Sequence, residues 1–306
     1  MSEYHVPVLF DECMQALEVQ EGGIYFDGTL GGGGHSEGIL LRGGTLVATD
    51  RDSEAIAEAK KRFEAKSLSG YTLVKSNFKR VGEVLDELGI DRIDGALLDL
   101  GISSHQIDEP NRGFSYRFDG ELDMRMDSED GIKALDVVND YSEEEISDIL
   151  FKYGEERFAR KIASAIVKAR KVKKITTTLE LVEIIKKSTP DFYHRQGHPA
   201  KKTFQALRIE VNGELEGLSE AIETLASRLK SGARLAVITF HSLEDRIVKQ
   251  TFKLLCTDCI CDKSLPICVC GHKATAKDVG KYKASKQELE LNSRSNSATL
   301  RVIEML

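Results

Sequence analysis

The chain has 306 residues, of which 41% are hydrophobic and 30% charged, and its formal net charge is −7. This composition is ordinary for a globular protein, and no apolar stretch approaches the roughly 20 residues that a membrane span needs. The first residues, MSEYHVPVLFDECM, contain acids and lack the basic segment and apolar core of a secretory signal. We therefore expect a cytoplasmic protein, long enough for one large domain or two moderate ones.

The first third of the chain alternates between helix and strand patterns. In chain order, the predicted elements are helix 10–17, strand 24–27, helix 36–41, strand 45–50, helix 53–65, strand 71–75, helix 81–88 and strand 93–99. Alternation at this spacing indicates a parallel sheet with helices on both faces. The predicted fold class is therefore α/β, with a doubly wound, mostly parallel sheet.

A long helical region separates strand 93–99 from the next strand pattern, 234–240. Its predicted helices are 142–154, 157–172, 178–188 and 203–230, the last one broken near Asn212 and Gly213. A simple crossover between strands needs far fewer residues. We therefore predict a helical domain, 109–212, inserted into a discontinuous sheet domain, 1–108 and 213–306. A helix at 242–255, a cysteine-rich loop and a strand at 299–304 complete the chain.

The stretch DGTLGGGGHS, at 27–36, joins the first strand to the helix that follows it. Glycines permit positive φ and let a ligand lie against the backbone, and the free N–H groups of a helix start attract electron-rich groups. Asp50 ends the second strand nineteen residues after Gly31, where an acid can accept hydrogen bonds from a ribose. Together these features predict a nucleotide-like cofactor rather than a purely structural turn.

The charges of the chain are unevenly distributed. Residues 119–150 contain 12 acids and 2 bases, whereas residues 151–208 contain 15 bases and 5 acids. A strongly positive face can attract a phosphate backbone even on an acidic protein. Two solvated helix faces that pair with each other would explain the same counts, so charge alone leaves both interpretations open.

Nine motifs are distributed over nearly the whole chain: GTLGGGGHS (28–36), LVATDRD (46–52), SNF (76–78), LLDLGISSHQID (97–108), RGFSY (112–116), LDMRMD (122–127), HPAKKTFQALRIEVNGEL (198–215), FHSLEDR (240–246) and NSRSNSATLRV (292–302). Together they resemble the MraW family of ribosomal RNA small subunit methyltransferases. The resemblance implies a Rossmann-like class I methyltransferase that uses S-adenosylmethionine to methylate the exocyclic N4 of a cytosine in the decoding region of 16S rRNA. The implied partner is 16S rRNA or the small ribosomal subunit, and no obligate protein partner is predicted.

The same resemblance implies a set of cofactor-binding residues: Gly33, Gly34, His35, Asp50, Phe78, Asp99 and Gln106. The glycine backbone would approach the amino-acid end of the cofactor, and the amide or ring of His35 would donate to its carboxylate. Asp50 would accept from the ribose hydroxyls. Phe78 would lie against the adenine ring, and the amide of Gln106 would hydrogen-bond the cofactor.

Asp99 is also the candidate catalytic residue. It ends a strongly apolar strand, which would place its carboxylate at the cofactor edge of the sheet. The lone pair of the cytosine amine is conjugated with the ring, so a hydrogen-bond acceptor is needed to turn that lone pair toward the methyl group. Asp99 would serve either as this acceptor or as a cofactor contact alone, and the sequence leaves both roles open.

Other enzyme classes fit the sequence less well. His241 and Ser242 could suggest a hydrolase, but they are adjacent, so their side chains diverge at a strand end. Ser242 with Asp245 instead predicts a helix capping box. His241 could still line the substrate pocket. The glycine spacing differs from the GxGxxG of a nicotinamide-dependent oxidoreductase. A ribosome assembly factor without catalytic activity would not need the glycine loop together with Asp50 and Asp99.

Five of the six cysteines lie in CTDCICDKSLPICVC, at 256–270. The CxxC and CxC spacings could bind zinc, but the chain does not contain two CxxC motifs, so the sequence favours a reduced loop without a metal.

The candidate phosphate contacts are Lys168, Arg170, Lys171, Lys173, Lys174, Lys201, Lys202, Arg294 and Arg301. A cytosine in folded rRNA must leave its stack before its N4 can react, and the inserted domain would hold the surrounding backbone.

Overall fold

The computed structural model describes residues 7–195, 197–262, 265 and 267–306. Its strands are β1 (Ile24–Asp27), β2 (Thr45–Asp50), β3 (Tyr71–Lys75), β4 (Ile93–Asp99), β5 (Leu229–Thr239), β6 (Ala276–Tyr282) and β7 (Thr299–Met305). Its α-helices are α1 (Phe10–Leu17), α2 (Gly34–Leu40), α3 (Ser53–Ala65), α4 (Val81–Glu87), α5 (Ser104–Asp108), α6 (Ala134–Asp140), α7 (Glu143–Gly154), α8 (Ala159–Arg170), α9 (Thr178–Ser188), α10 (Asp191–His194), α11 (Lys201–Asn212), α12 (Leu218–Arg228), α13 (Ser242–Leu255) and α14 (Lys286–Leu291). Among the described helices, none has the length and apolarity of a membrane span.

The chain forms two compact units. The sheet unit consists of residues 1–101 and 215–306, and the helical unit consists of residues 102–214. All seven strands belong to the sheet unit, and α5 to α11 belong to the helical unit. Each unit contains its own buried apolar clusters.

The strands of the sheet unit lie in the order β3-β2-β1-β4-β5-β7-β6. The first five are parallel to one another, whereas β7 runs antiparallel to both β5 and β6. β4 and β5 are adjacent in the sheet although residues 100–228 lie between them in sequence. The predicted α/β fold with a mostly parallel sheet is confirmed.

Helices cover both faces of this sheet because its central strands are apolar on both sides. In β4, Leu97 belongs to one buried cluster with α1, α2 and α3, and Leu98 belongs to the other with α4, α12 and α13. Successive side chains of a strand point to opposite faces, so the run GALLD supplies apolar groups to both. The polar strand ends therefore remain at the carboxyl edge of the sheet.

Two strand predictions need correction. The helix predicted to continue to Lys230 ends at Arg228, and β5 begins at Leu229, because Leu229 pairs with Ile93 of β4. β6 was not predicted at all. Its sequence, AKDVGKY, lacks alternating apolar residues, and it is an edge strand that pairs only with β7 and leaves most of its side chains exposed. Helices α5, α6, α10 and α14 were also missed.

The helical unit has a core of its own, formed by the apolar faces of its longer helices. α7 packs against α8 and α11, and α8 packs against α9. Capping boxes begin two of these helices: Ser142 with Glu145 at α7, and Thr177 with Glu180 at α9. Buried side chains from all four helices meet in one cluster, among them Ile146, Ile162, Leu181 and Phe204.

A buried amide connects the end of α11 to an irregular loop of the helical unit. Asn212 accepts a hydrogen bond from Met126 N at 2.7 Å and donates to Met124 O at 2.8 Å. Met124 has a positive φ of 63°, a conformation that costs energy for a non-glycine residue. The Asn212 side chain therefore stabilises a loop conformation that the loop would not adopt alone.

We predict that Asn212→Ala lowers the free energy of unfolding of the helical unit by about 2 to 3 kcal/mol, because buried backbone groups lose their partner. Urea denaturation followed by circular dichroism measures this change. Lys201→Ala is the matched control, since Lys201 is exposed on the same helix, and it should change stability by less than about 0.5 kcal/mol. Equal effects of the two substitutions would contradict the prediction.

Candidate functional site

Asp27 is a buried carboxylate at the end of β1, directly before the glycine stretch. Its Oδ1 accepts a hydrogen bond from Thr29 N at 3.0 Å, and its Oδ2 accepts from Ser36 Oγ at 2.7 Å. These bonds connect the two ends of the loop that joins β1 to α2. Burial raises the pKa of Asp27 to about 6. Sequence reasoning missed this residue, although a carboxylate immediately before a glycine run was the available signal.

The glycines of this loop are required by close packing and by backbone conformation. A Cβ atom at Gly28 would lie 2.4 Å from Leu98 Cδ2 and 2.8 Å from the Cβ atom of Phe78. Gly31 and Gly33 have φ values of 50° and 75°, and Gly33 is the N-cap of α2. Side chains at these positions would strain the turn or displace Phe78.

Asp50 connects the end of β2 to the same loop. Its Oδ2 accepts a hydrogen bond from Gly31 N at 2.8 Å, and its Oδ1 accepts from Asp52 N at 2.9 Å. Burial raises its pKa above the usual value for an aspartate. Each carboxylate oxygen has two lone pairs, so Asp50 can orient the loop and still accept from ligand hydroxyls.

The ring of His35 is held by contacts within the sheet unit. Its Nε2 lies 3.0 Å from Val8 O, and its ring stacks on Phe10 with ring centroids 6.1 Å apart. A carbonyl can only accept, so Nε2 carries the proton, and burial lowers the pKa of the ring to about 4. The neutral ring then has an unprotonated Nδ1, which lies 3.6 Å from Asp99 Oδ2. The ring cannot donate from Nδ1, which leaves only the backbone N–H of His35 as a donor to a ligand.

Asp99 ends β4 beside the glycine loop. Its backbone N–H donates to Thr29 Oγ1 at 2.6 Å, which connects β4 to the loop after β1. Its Oδ1 is a buried atom without a hydrogen-bond partner among the described residues, while the side chain as a whole is 25% exposed. Burial and the nearby charge of Asp27 raise the pKa of Asp99 well above its usual value. A buried acceptor without a donor fits a ligand that supplies an N–H or O–H group.

The negative charge at the carboxyl edge of the sheet favours a positively charged ligand. Three carboxylates, Asp27, Asp50 and Asp99, lie at the ends of three neighbouring parallel strands. Their mutual repulsion contributes to the raised pKa values of Asp27 and Asp99. A cationic nucleoside with free hydroxyl and amine donors would relieve this repulsion, whereas a dinucleotide diphosphate would increase it. The residues present therefore fit a positively charged adenosyl cofactor.

The two remaining predicted cofactor residues lie in different units. Phe78 begins the 3₁₀ turn after β3, partly buried against the sheet, and the Asn77 side chain accepts from Lys79 N at 3.1 Å to cap that turn. Gln106 lies in α5 of the helical unit, where its Oε1 accepts from Ser103 N at 3.1 Å in a capping box. The sheet unit thus brings together the glycine loop, His35, Asp50, Phe78 and Asp99.

The predicted capping box of α13 is wrong. His241, not Ser242, is the N-cap residue, and its partner is Glu244, whose Oε2 accepts from Phe240 N at 2.9 Å. Asp245 instead pairs with Arg301, with N–O distances of 2.8 and 3.0 Å. Arg301 is therefore engaged in an ion pair with Asp245. It is a weaker candidate for a phosphate contact than the sequence indicated.

We predict that His35→Gln removes a titratable group from the folded protein while its amide can still donate a hydrogen bond to Val8 O. The folded-state pKa of His35, about 4, lies below the usual 6.5, so the stability that the neutral ring contributes above pH 6.5 is lost as the pH falls toward 4. Between pH 7 and pH 5 the wild type should lose about 2 kcal/mol relative to the variant. Urea midpoints at both pH values measure this difference, and parallel behaviour of the two proteins would contradict the assignment.

The chain is similar to known proteins over nearly its whole length. A sequence model of the MraW methylase family matches residues 2–306. Ribosomal RNA small subunit methyltransferase H of Clostridium botulinum (strain Kyoto / Type A2) is 52% identical, over 97% of each chain. The proteins of the same name from Fusobacterium nucleatum and Brevibacillus brevis are 49% and 48% identical, over 100% of this chain and 98% and 99% of theirs. The resemblance seen in the motifs is confirmed: the chain belongs to the MraW methylase family and is a methyltransferase.

Proposed function

We propose that this enzyme transfers a methyl group from S-adenosylmethionine to the exocyclic N4 of a cytosine in the decoding region of 16S rRNA. Its family and its relatives identify it as a ribosomal RNA methyltransferase whose methyl donor is S-adenosylmethionine. The observation that carries the assignment of the site is the buried Oδ1 of Asp99 at the end of β4, for which the described residues supply no hydrogen-bond donor.

The cofactor-binding residues would be those that the motif resemblance implies: Gly33, Gly34, His35, Asp50, Phe78, Asp99 and Gln106. Backbone N–H groups at the start of α2 suit the carboxylate of the cofactor. Asp50 would accept from the ribose, and Asp99 would accept from the amino group. When bound, S-adenosylmethionine supplies an electrophilic methyl group on a positively charged sulfur.

Asp99 would also act on the base. Its pKa is raised by burial and by Asp27, and a nearby cation favours the ionised form of a carboxylate. In the presence of the cofactor, Asp99 would therefore be an acceptor able to bind an N–H of the cytosine amine. That hydrogen bond would turn the nitrogen lone pair toward the methyl group, and most of the rate enhancement would come from this alignment in a site that excludes water.

The helical unit would bind the RNA backbone around the target base. Lys168, Lys171 and Lys174 are exposed at the end of α8 and just beyond it, next to Val172, which is 90% exposed. Lys201 is exposed at the start of α11. Other predicted contacts have protein partners, since Arg170 donates to Val138 O at 2.8 Å and Lys173 pairs with Glu180. The exposed lysines are therefore the better candidates for phosphate contacts.

The acidic segment 119–150 forms ion pairs of its own. Lys133 pairs with Glu121 and with Asp123, and Arg125 pairs with Asp123. These ion pairs are internal to the segment, so they do not involve the exposed Lys168, Lys171 and Lys174. This arrangement favours an RNA-binding face over an interaction between the acidic and basic helices.

We predict that Asp99→Asn weakens the binding of S-adenosylhomocysteine by about 10- to 100-fold, because a hydrogen bond to a charged group contributes about 1.5 to 3 kcal/mol. It should also lower the single-turnover rate with small ribosomal subunits at saturating cofactor. Calorimetry and rapid-quench methyl transfer measure the two effects. Asp91→Asn, 90% exposed near the other end of β4, is the control. An unchanged single-turnover rate would rule out the role toward the amine.

We predict that substituting Lys168, Lys171 and Lys174 together by Gln weakens binding to the small subunit and reduces its dependence on salt. Each lost phosphate contact lowers the slope of log K against log salt by about 0.7 to 0.9. Filter binding at several salt concentrations measures the slope. The control, with Lys60, Lys61 and Lys286 changed to Gln, removes equal charge from exposed positions of the sheet unit. Identical slopes for both triple variants would overturn the assignment of the RNA face.

A further inference from the structure

Four of the five clustered cysteines converge in the loop between α13 and β6. The Sγ atoms of Cys259, Cys261, Cys268 and Cys270 all lie within 4.8 Å of one another. Cys268 Sγ lies 3.4 Å from Cys259 Sγ, 3.9 Å from Cys261 Sγ and 3.5 Å from Cys270 Sγ. A disulfide would place two sulfurs about 2 Å apart, so these are four separate thiols.

These separations match the edges of a metal–thiolate tetrahedron. Four sulfurs at the usual zinc–sulfur distance of about 2.3 Å lie about 3.8 Å from one another. A fourth distance, from Cys270 Sγ to Cys259 Sγ, is 3.8 Å. The group arises from two CxC pairs, a spacing that differs from the paired CxxC motif, and for this reason the sequence favoured a loop without a metal.

Backbone groups of the loop are arranged as they would be around bound thiolates. Val269 N–H donates to Cys261 Sγ at 3.3 Å, and His272 N–H donates to Cys270 Sγ at 3.4 Å. Such bonds orient sulfur ligands and reduce the negative charge that four thiolates concentrate around one divalent ion. A cluster of four neutral thiols would gain much less from these donors.

The loop has too few apolar contacts to define its own conformation. No described residue from 257 to 275 is buried, and Ile267 and Val269 are 74% and 77% exposed. Polypeptide segments without a core need another source of order, and a bound metal is the usual one where cysteines converge. The loop is attached to the fold at its ends, where Thr275 N donates to Leu255 O at 2.8 Å.

We propose that Cys259, Cys261, Cys268 and Cys270 bind one Zn²⁺ ion in a closed, structural site. All four ligands are thiolates, which leaves no open position for a substrate or water, so the ion has no part in methyl transfer. Zinc binding replaces four thiol protons, which are released to solvent. The ion orders the loop between α13 and the edge strand β6.

The experiment uses the full-length protein, expressed in medium containing zinc and purified under reducing conditions. Mass spectrometry of the metal content should give one zinc per chain. The double variant Cys259→Ser/Cys268→Ser should contain less than a tenth of that amount. Cys256→Ser is the matched control, because Cys256 lies in the same segment but outside the group of four, and it should retain the zinc.

Two further readouts do not depend on catalysis. Cobalt substitution should produce the thiolate charge-transfer and d–d absorption bands of a tetrahedral four-sulfur site, and the double variant should lack them. Removal of the metal by a chelator should make residues 257–275 susceptible to limited proteolysis. The far-UV circular dichroism spectrum of the protein should stay unchanged. A wild-type protein without zinc, one that contains iron instead, or a double variant that keeps its zinc would overturn the proposal.

Discussion

The hydrogen bonds of the buried Asp27 carboxylate are the constraint on which the candidate cofactor site depends. They connect Thr29 at the start of the glycine loop with Ser36 in α2. Thr29 in turn accepts from the backbone of Asp99, and Asp50 accepts from Gly31. One loop therefore determines the positions of three strand ends. The desolvation of Asp27, visible in its raised pKa, is offset by these donors.

The same carboxylates make the site suited to a cation. Asp27 and Asp99 repel each other, and the neighbouring ring of His35 is neutral because burial lowers its pKa. A cationic ligand at this edge would compensate this excess of negative charge.

The two units and the cysteine loop obtain their order from different sources. The sheet unit and the helical unit have extensive apolar cores. The loop at 257–275 has no buried residue among those described, so it resembles a small domain that must be stabilised by a crosslink. All four cysteines that would hold a metal lie within this loop, between residues 259 and 270.

Hydrophobic periodicity and glycine content are properties of neighbouring residues, so they were enough to predict the parallel strands, the glycine loop and the acids at the ends of β2 and β4. The partners of the polar groups could be identified only in the folded chain. His35 bonds to Val8, Thr29 to Asp99 and Asp245 to Arg301, across 27, 70 and 56 positions in sequence. β6 pairs with β7 although its sequence has no alternating apolar pattern, and the cysteine sulfurs converge through loop geometry. Such contacts depend on distances in the folded chain, which a local pattern does not encode.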